Sequence, residues 1–315
     1  MAQEQMSFSI DRYKEESRKL DTTGVQWDRI RDYPLSKGDL FFLHYAMDVE
    51  NHVPLYLSHL LVTRACMNPV ITTFLSLWAY EELWHGENLS RFLVEYGIPL
   101  ENDTRIRNLR SDMGVSNSLS ILSTMLASWA LDDFAALYLS IGACNELSTA
   151  TAYGALARNC EHPVLKDLLA RIQKDERRHF AFYYNSAKEW MTDNPRAQLV
   201  GKIGMKLFWQ VVGQGLKNQE EVDAISLYLF NDEAGLRDVE TIDEKMGRLP
   251  GLEGIRLMTK AREDARRRNA ANPEWGFRLI ENESWAKKST EGGSNLYKGQ
   301  LVGVAGLGGE SEDDY

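Results

Sequence analysis

The chain has 315 residues, of which 43% are apolar and 26% charged, with a net charge of −10. This is ordinary globular composition, long enough for one large domain or two modest ones and apolar enough for a sizeable core. The acidic balance argues against nucleic acid as the main partner. Cys66, Cys144 and Cys160 form no C-x-x-C pair and make a poor disulfide framework, which points to a reducing cytoplasm. Met1 to Asp11 holds no apolar run of the signal-peptide kind, and no apolar window is long enough to predict a membrane span.

The 8 prolines fall mostly between long stretches with apolar residues at helical spacing, and there are no Asn-Gly or Asp-Gly hairpin signals. The predicted fold class is therefore all-α. An N-terminal arm, 1–37, precedes a first long helix over about 38–66 and a second over about 70–97. A looser segment with a short helix follows, about 102–128. Three more long helices are predicted over about 130–160, 164–191 and 196–232, then shorter ones over 236–247 and 252–270. Residues 38–286 read as one helical domain. The tail 287–315, rich in Gly and acids, is expected to be disordered or to dock late.

Histidine is scarce, with 6 copies, yet two follow a glutamate by three residues: Glu82/His85 in EELWH and Glu176/His179 in DERRH. About half of one such pair is expected by chance. On a helix, positions i and i+3 share a face, so a carboxylate and an imidazole can grip one metal ion. A Glu-x-x-His from each of two helices, plus one Glu from each of two others, is the recipe for a carboxylate-bridged dimetal site in a ferritin-like four-helix bundle. Glu50 and Glu146 qualify as the lone glutamates, because each sits on an apolar or small-residue stripe, where an acid is costly unless paired or metal-bound. Gly142 and Ala143 are expected to leave space beside Glu146 for dioxygen or a substrate. The competing reading is a pair of solvated helix-face couples.

Four carboxylates and two imidazoles suit iron or manganese better than zinc. His52 lies two residues from Glu50, on another face, and with His44 and His59 is not assigned as a ligand. Cys144 likewise points away and reads as a packing residue. Pro54 removes the amide that would bond the Glu50 carbonyl, and is expected to kink or open the first helix. Trp84, Trp129, Tyr138, Phe180 and Tyr183 read as core.

The chain resembles the soluble acyl-[acyl carrier protein] desaturases, a ferritin-like diiron family. The resemblance is carried by MDVENHVPLY, WAYEELWHGENLSRFLVEYG, NELSTATAYGALARN, KDERRHFAFYYNSAKEWMTDNP, and GRLPGLEGIRLMTKAREDARRRN followed by NPEWGF, spanning roughly 25–285. It implies two iron ions, with Glu50 and Glu146 as terminal ligands, Glu82 and Glu176 bridging, and His85 and His179 supplying nitrogen. Asp175 would orient His85, and Thr149 would place a hydroxyl beside the oxygen-binding side. A mixed manganese–iron pair remains open, as does Thr149 simply bonding back to its own helix.

The resemblance also implies dioxygen as co-substrate, a ferredoxin-like or flavoprotein reductant, an acyl carrier protein carrying the acyl chain, and a homodimer. Basic candidates for docking the acidic carrier are Arg105, Arg107 and Arg110, or Lys260, Arg262, Arg266, Arg267 and Arg268. The chain departs from the family pattern over roughly 98–130 and after Lys287. The alternatives are a diiron oxygenase acting on a biosynthetic intermediate, a non-enzymatic iron-binding protein, and a radical-generating subunit using Tyr153 or Tyr183. Arylamine N-oxygenases carry a further His near the last motif, where this chain has Ile172 and Gln173.

Overall fold

The computed structural model describes residues 8–100, 124–126, 128–130, 132–272 and 275–282. The predicted short helix near 102–128 lies mostly outside them, as do Arg105, Arg107 and Arg110 and the 287–315 tail. The described residues are helical throughout, with one isolated bridge between Gln214 and Lys217. None of their helices is long and apolar enough to cross a membrane.

Four long helices form the core bundle: α2 (Lys37–Leu61), α3 (Pro69–Tyr96), α4 (Phe134–Asn159) and α5 (Pro163–Met191). The most extensive pairings are α4 with α5 and α2 with α3. Short connections after α2 and α4 make each pair an antiparallel hairpin. Local chemistry sets the boundaries. Ser36 and Asp39 form a reciprocal capping box that starts α2. Asn68 and His162 accept the first amides of α3 and α5, each ahead of a proline at the first helical position. Gly97, in the left-handed conformation, ends α3. α2 runs unbroken across Pro54, so the expected opening of the helix does not occur.

The N-terminal arm contains helical turns of its own among the described residues. It carries α1 (Ile10–Glu16), which packs on α3, and a 3-10 turn over Trp27–Asp32, which packs on α3 and α5. The predicted fifth helix is two: α6 (Pro195–Phe208), lying on α4, and α7 (Gln219–Phe230). Between them Gly213 and Gly215 take positive φ, a backbone that no helix can hold. The broken stretch is tied to the bundle by Tyr45, which donates to the Val212 carbonyl at 2.6 Å, by Lys217 on Asp48 at 2.5 Å, and by Trp209 on Asn145 at 3.1 Å. The remaining helices are α8 (Glu233–Met246), α9 (Leu257–Ala271) and α10 (Phe277–Glu281). Asp243 on α8 accepts from the amides of Met258 and Thr259 and so caps α9.

Candidate dimetal centre

The charged groups inside the bundle are concentrated at its middle. Glu50, Glu82, His85, Glu146, Glu176 and His179 are each at most 6% exposed. They form two overlapping quartets able to hold a metal ion: Glu50, Glu82, His85 and Glu176, and Glu82, Glu146, Glu176 and His179. Glu82 and Glu176 belong to both.

The shared carboxylates split their oxygens between the two histidines. Glu82 Oε2 lies 2.9 Å from His85 Nδ1, and its Oε1 lies 2.9 Å from His179 Nδ1. Glu176 Oε1 lies 3.2 Å from His85 Nδ1, and its Oε2 lies 3.6 Å from His179 Nδ1. Glu146 Oε2 completes the second quartet, 3.4 Å from His179 Nδ1. Glu176 Oε1 and His179 Nδ1 are close to these neighbours yet have no hydrogen bond among the described residues. His85 Nδ1 and Glu82 Oε2 do bond to each other, but buried polar atoms left unbonded in so crowded a cluster fit a cation between them. The donor set, four carboxylates and two imidazoles, fits hard or borderline ions such as iron or manganese.

Both histidines present Nδ1 to the cluster and turn Nε2 outward. His85 Nε2 stands 3.5 Å from Asp175 Oδ2, the partner expected from sequence. His179 Nε2 stands 2.7 Å from Glu81 Oε2, a partner that sequence reading did not assign. The two supports cross over: the acid preceding Glu82 holds the histidine of α5, and the acid preceding Glu176 holds the histidine of α3. Arg178 joins them, at 2.8 Å from Asp175 and 3.0 Å from Glu81, and Tyr13 of α1 donates to Glu81 at 2.7 Å. Burial alone would raise both acids. His179 and Arg178 instead hold Glu81 below the ordinary carboxylate range, and His85 and Arg178 do the same for Asp175. Ionised acceptors there keep the proton on Nε2 and leave the Nδ1 lone pair for a metal.

Without a metal the cluster is electrostatically strained. Burial, and then the neighbouring Glu82 and Glu176, push Glu50 well above the usual carboxylate range. Burial, Glu176 and Glu82 do the same to Glu146, against the neighbouring His179, which lowers it. Glu82 goes the other way: burial would raise it, but His179 and His85 hold it well below. Tyr153 donates a short hydrogen bond to Glu50 Oε1. A phenol so placed fixes one oxygen of the Glu50 carboxylate.

A cavity of about 120 Å³ opens beside the cluster. Glu50, Glu82, Glu146 and Glu176 form its floor, and Val49, Val53, Leu60, Ile141, Val212 and Leu216 supply apolar wall. The broken segment between α6 and α7 is thus a wall of the site. A 150 Å³ cavity holds a benzene-sized molecule, so this one suits a short stretch of hydrocarbon. Thr149 lines the cavity one turn after Glu146, and no hydrogen bond among the described residues ties its hydroxyl back to the helix.

Several expectations need correction. Gly142 lines the cavity beside Glu146, and a Cβ there would come within 2.4 Å of the Tyr183 ring, so the small residue also makes room for that ring. Trp129 is 60% exposed, beneath Arg64, and is not core. Arg262 is buried and donates to the Phe230 and Asn231 carbonyls, and Arg268 is paired with Asp223, so neither stands ready to dock a carrier. Lys260, Arg266 and Arg267 remain exposed. His52 lines the cavity but joins neither quartet, and Cys144 is fully buried outside the cluster.

Comparison with known proteins agrees with this geometry. No individual curated protein matches the chain. The family model described as fatty acid desaturase matches residues 35–206, more than half of the sequence and a span that contains all six cluster residues. By that match, the chain belongs to the fatty acid desaturase family.

Proposed function

We propose that the protein is a dioxygen-dependent diiron desaturase acting on an acyl chain held by acyl carrier protein, with residues 38–286 as its metal-bearing domain. One observation carries the reading: Glu82 and Glu176 each offer one oxygen to either side of the cluster. Two ions 3.5–4 Å apart, sharing carboxylates, are the usual arrangement of a two-metal site. Two irons held there would supply the redox chemistry that couples reduction of dioxygen to loss of two hydrogens from adjacent carbons. Electrons would come from a ferredoxin-like or flavoprotein donor.

The chain's own residues do the rest. Glu50 and Glu146 would be the terminal ligands, and His85 and His179 the nitrogen ligands. Asp175 and Glu81 hold the outer imidazole protons in place. Tyr153 holds Glu50 in one orientation. The apolar wall excludes water and seats the chain against the floor of carboxylates. Thr149, in the cavity lining one turn after Glu146, would donate a hydrogen bond or pass a proton there. Phe74 and Phe182, stacked with centroids 3.6 Å apart, seal the side beneath His179. Lys260, Arg266 and Arg267 are the candidates left for meeting an acidic carrier, and a homodimer is the expected assembly.

The test is a single turnover. Reduced, iron-loaded protein is mixed with dioxygen and a panel of acyl carrier protein thioesters, acyl-CoA and free acids, and the products are read by mass spectrometry. Loss of two hydrogens from a carrier-bound chain is the expected result. Addition of one oxygen would replace desaturation by hydroxylation. Dioxygen consumption with every chain unchanged would overturn the acyl reading.

A further inference from the structure

The segment between α6 and α7 supplies Val212, Gly213, Gln214 and Leu216 to the lining of the cavity. Among the described residues its backbone hydrogen bonds stay local: the amides of Leu216 and Lys217 bond to the Gly213 carbonyl, and that of Gln214 to the Val211 carbonyl. With Gly213 and Gly215 at positive φ, no helix holds it in place. Side chains do. Tyr45 donates to the Val212 carbonyl at 2.6 Å, Lys217 meets Asp48 at 2.5 Å and Glu221 at 3.7 Å, and Trp209 donates to Asn145 at 3.1 Å. Tyr45 and Asp48 belong to α2, the helix that carries Glu50, and Asn145 adjoins Glu146 on α4. The wall is thus pinned to the two helices that bear the lone glutamates.

A plain connecting loop has no need of a buried ion pair. The Lys217 and Asp48 side chains are 8% and 1% exposed. Desolvating two charges offsets most of what their attraction returns, so such a pair adds little stability over apolar packing. It does impose geometry, because a short charge-assisted hydrogen bond is satisfied at one separation whereas apolar surfaces can slide. Gly213 brings the segment close: a Cβ there would come within 2.3 Å of the Tyr45 hydroxyl. The cavity holds about 120 Å³, and in a pocket that small a single methyl group on its wall or on its ligand is felt.

We infer that this segment is the specificity-determining wall for the acyl chain. Val212 and Leu216 meet the carbons next to those that react. Tyr45 and Lys217 are positioning residues, which set how far the wall stands from the carboxylates. The inference rests on the acyl-chain reading above.

The experiment uses iron-loaded protein kept anaerobic, so that chains bind without turning over. Acyl carrier protein thioesters of one chain length, either straight or carrying a single methyl branch at successive carbons, are titrated calorimetrically into the parent, Val212→Ala, Leu216→Ala, Tyr45→Phe and Lys217→Met proteins. Val239→Ala, a truncation of the buried core outside the cavity lining, is the control for lost stability. The parent should bind the straight chain about tenfold tighter than a chain branched beneath the wall, the order expected of one methyl group in an apolar pocket. Val212→Ala or Leu216→Ala should cut that ratio to about threefold or less at one branch position. Tyr45→Phe and Lys217→Met should cut it too, over neighbouring positions, although neither residue lines the cavity. Val239→Ala should leave it intact. Tyr45→Phe decides the point if Lys217→Met, which removes the cation beside Asp48, does not fold. A parent that binds every branched chain like the straight one, a ratio unchanged in both alanine variants, or an equal change in Val239→Ala would each overturn the inference. A ratio that survives Tyr45→Phe and Lys217→Met would overturn the positioning roles. Discrimination without dehydrogenation in the single turnover would leave this inference standing and remove the desaturase reading. Dehydrogenation of straight and branched chains alike would do the reverse. Failure of every chain to bind would remove both.

Discussion

On α3, Glu82 and His85 follow Glu81; on α5, Glu176 and His179 follow Asp175. The same short motif builds both halves of the cluster, but the halves are held differently. In the Glu50–His85 half, the terminal carboxylate is gripped by Tyr153 and the imidazole is loosely supported, 3.5 Å from a partly exposed Asp175. In the Glu146–His179 half, the imidazole is gripped, 2.7 Å from a buried Glu81 that Tyr13 and Arg178 also hold. There the terminal carboxylate stands at the cavity beside Thr149. Each half thus has one closely held and one less closely held side chain, the carboxylate in one and the imidazole in the other. A duplicated motif brings the acids and imidazoles together, while contacts to Tyr153, Tyr13 and Arg178 hold Glu50 and His179 more closely than Glu146 and His85.

The largest effect should come from removing what the halves share. Glu176→Gln should abolish tight binding at both positions while preserving the helical fold, measured as metal per chain alongside circular dichroism. Retention of one full equivalent would mean the halves are independent. Next comes the difference between the supporting acids. Glu81→Gln should weaken metal at the His179 half by about 10- to 100-fold, the range found for partners of metal-bound histidines. Asp175→Asn, at a longer contact, should cost less at the His85 half. Equal losses in competition titrations would erase the contrast drawn here.

Proton coupling gives a third test. Glu50, Glu146, His85 and His179 all titrate above their ordinary ranges in the metal-free chain. For the two acids the first cause is burial. For the two histidines burial works the other way and is overcome chiefly by Glu82 at His85 and by Tyr13 and Glu82 at His179. Groups raised in this way hold protons that a metal must displace. Binding should therefore release protons, and affinity should climb about tenfold per pH unit for each proton displaced as pH rises from the carboxylate range through neutrality. A pH-independent affinity in calorimetry would contradict the assignment of these groups as ligands. The smallest effect is expected from Tyr153→Phe, about fivefold weaker binding confined to the Glu50 half, as for loss of one hydrogen bond to a carboxylate. An effect on the Glu146 half instead would show that Tyr153 acts through packing.

Much of this was legible in the sequence. The 3.6-residue periodicity and the prolines at 69, 163 and 195 located the four core helices within a few residues. The two Glu-x-x-His pairs and the isolated acids at 50 and 146 named the cluster, because acids on apolar stripes have few other uses. Other features depend on contacts distant in sequence. The Tyr153–Glu50 bond spans 103 residues and the Glu81–His179 contact 98, so neither leaves a local pattern. Glu81 had one usable signal, its position matching that of Asp175 in the duplicated motif. The break between α6 and α7 was signalled by Gly213 and Gly215 but masked by the apolar residues around them, which serve the cavity rather than a helix face. Gly142 was read as space beside Glu146, which it lines, but the Tyr183 ring packed against it comes from another helix and left no local signal.

The central claim is two metal ions in one carboxylate-bridged cluster, and it is tested most directly by loading the chain with ferrous iron under anaerobic conditions. Unbound metal is removed, iron per chain is counted, and the Mössbauer spectrum is recorded before and after exposure to dioxygen. Two irons per chain, magnetically coupled once oxidised, is the predicted result. A single iron per chain, or two that behave independently, would contradict the bridging role of Glu82 and Glu176.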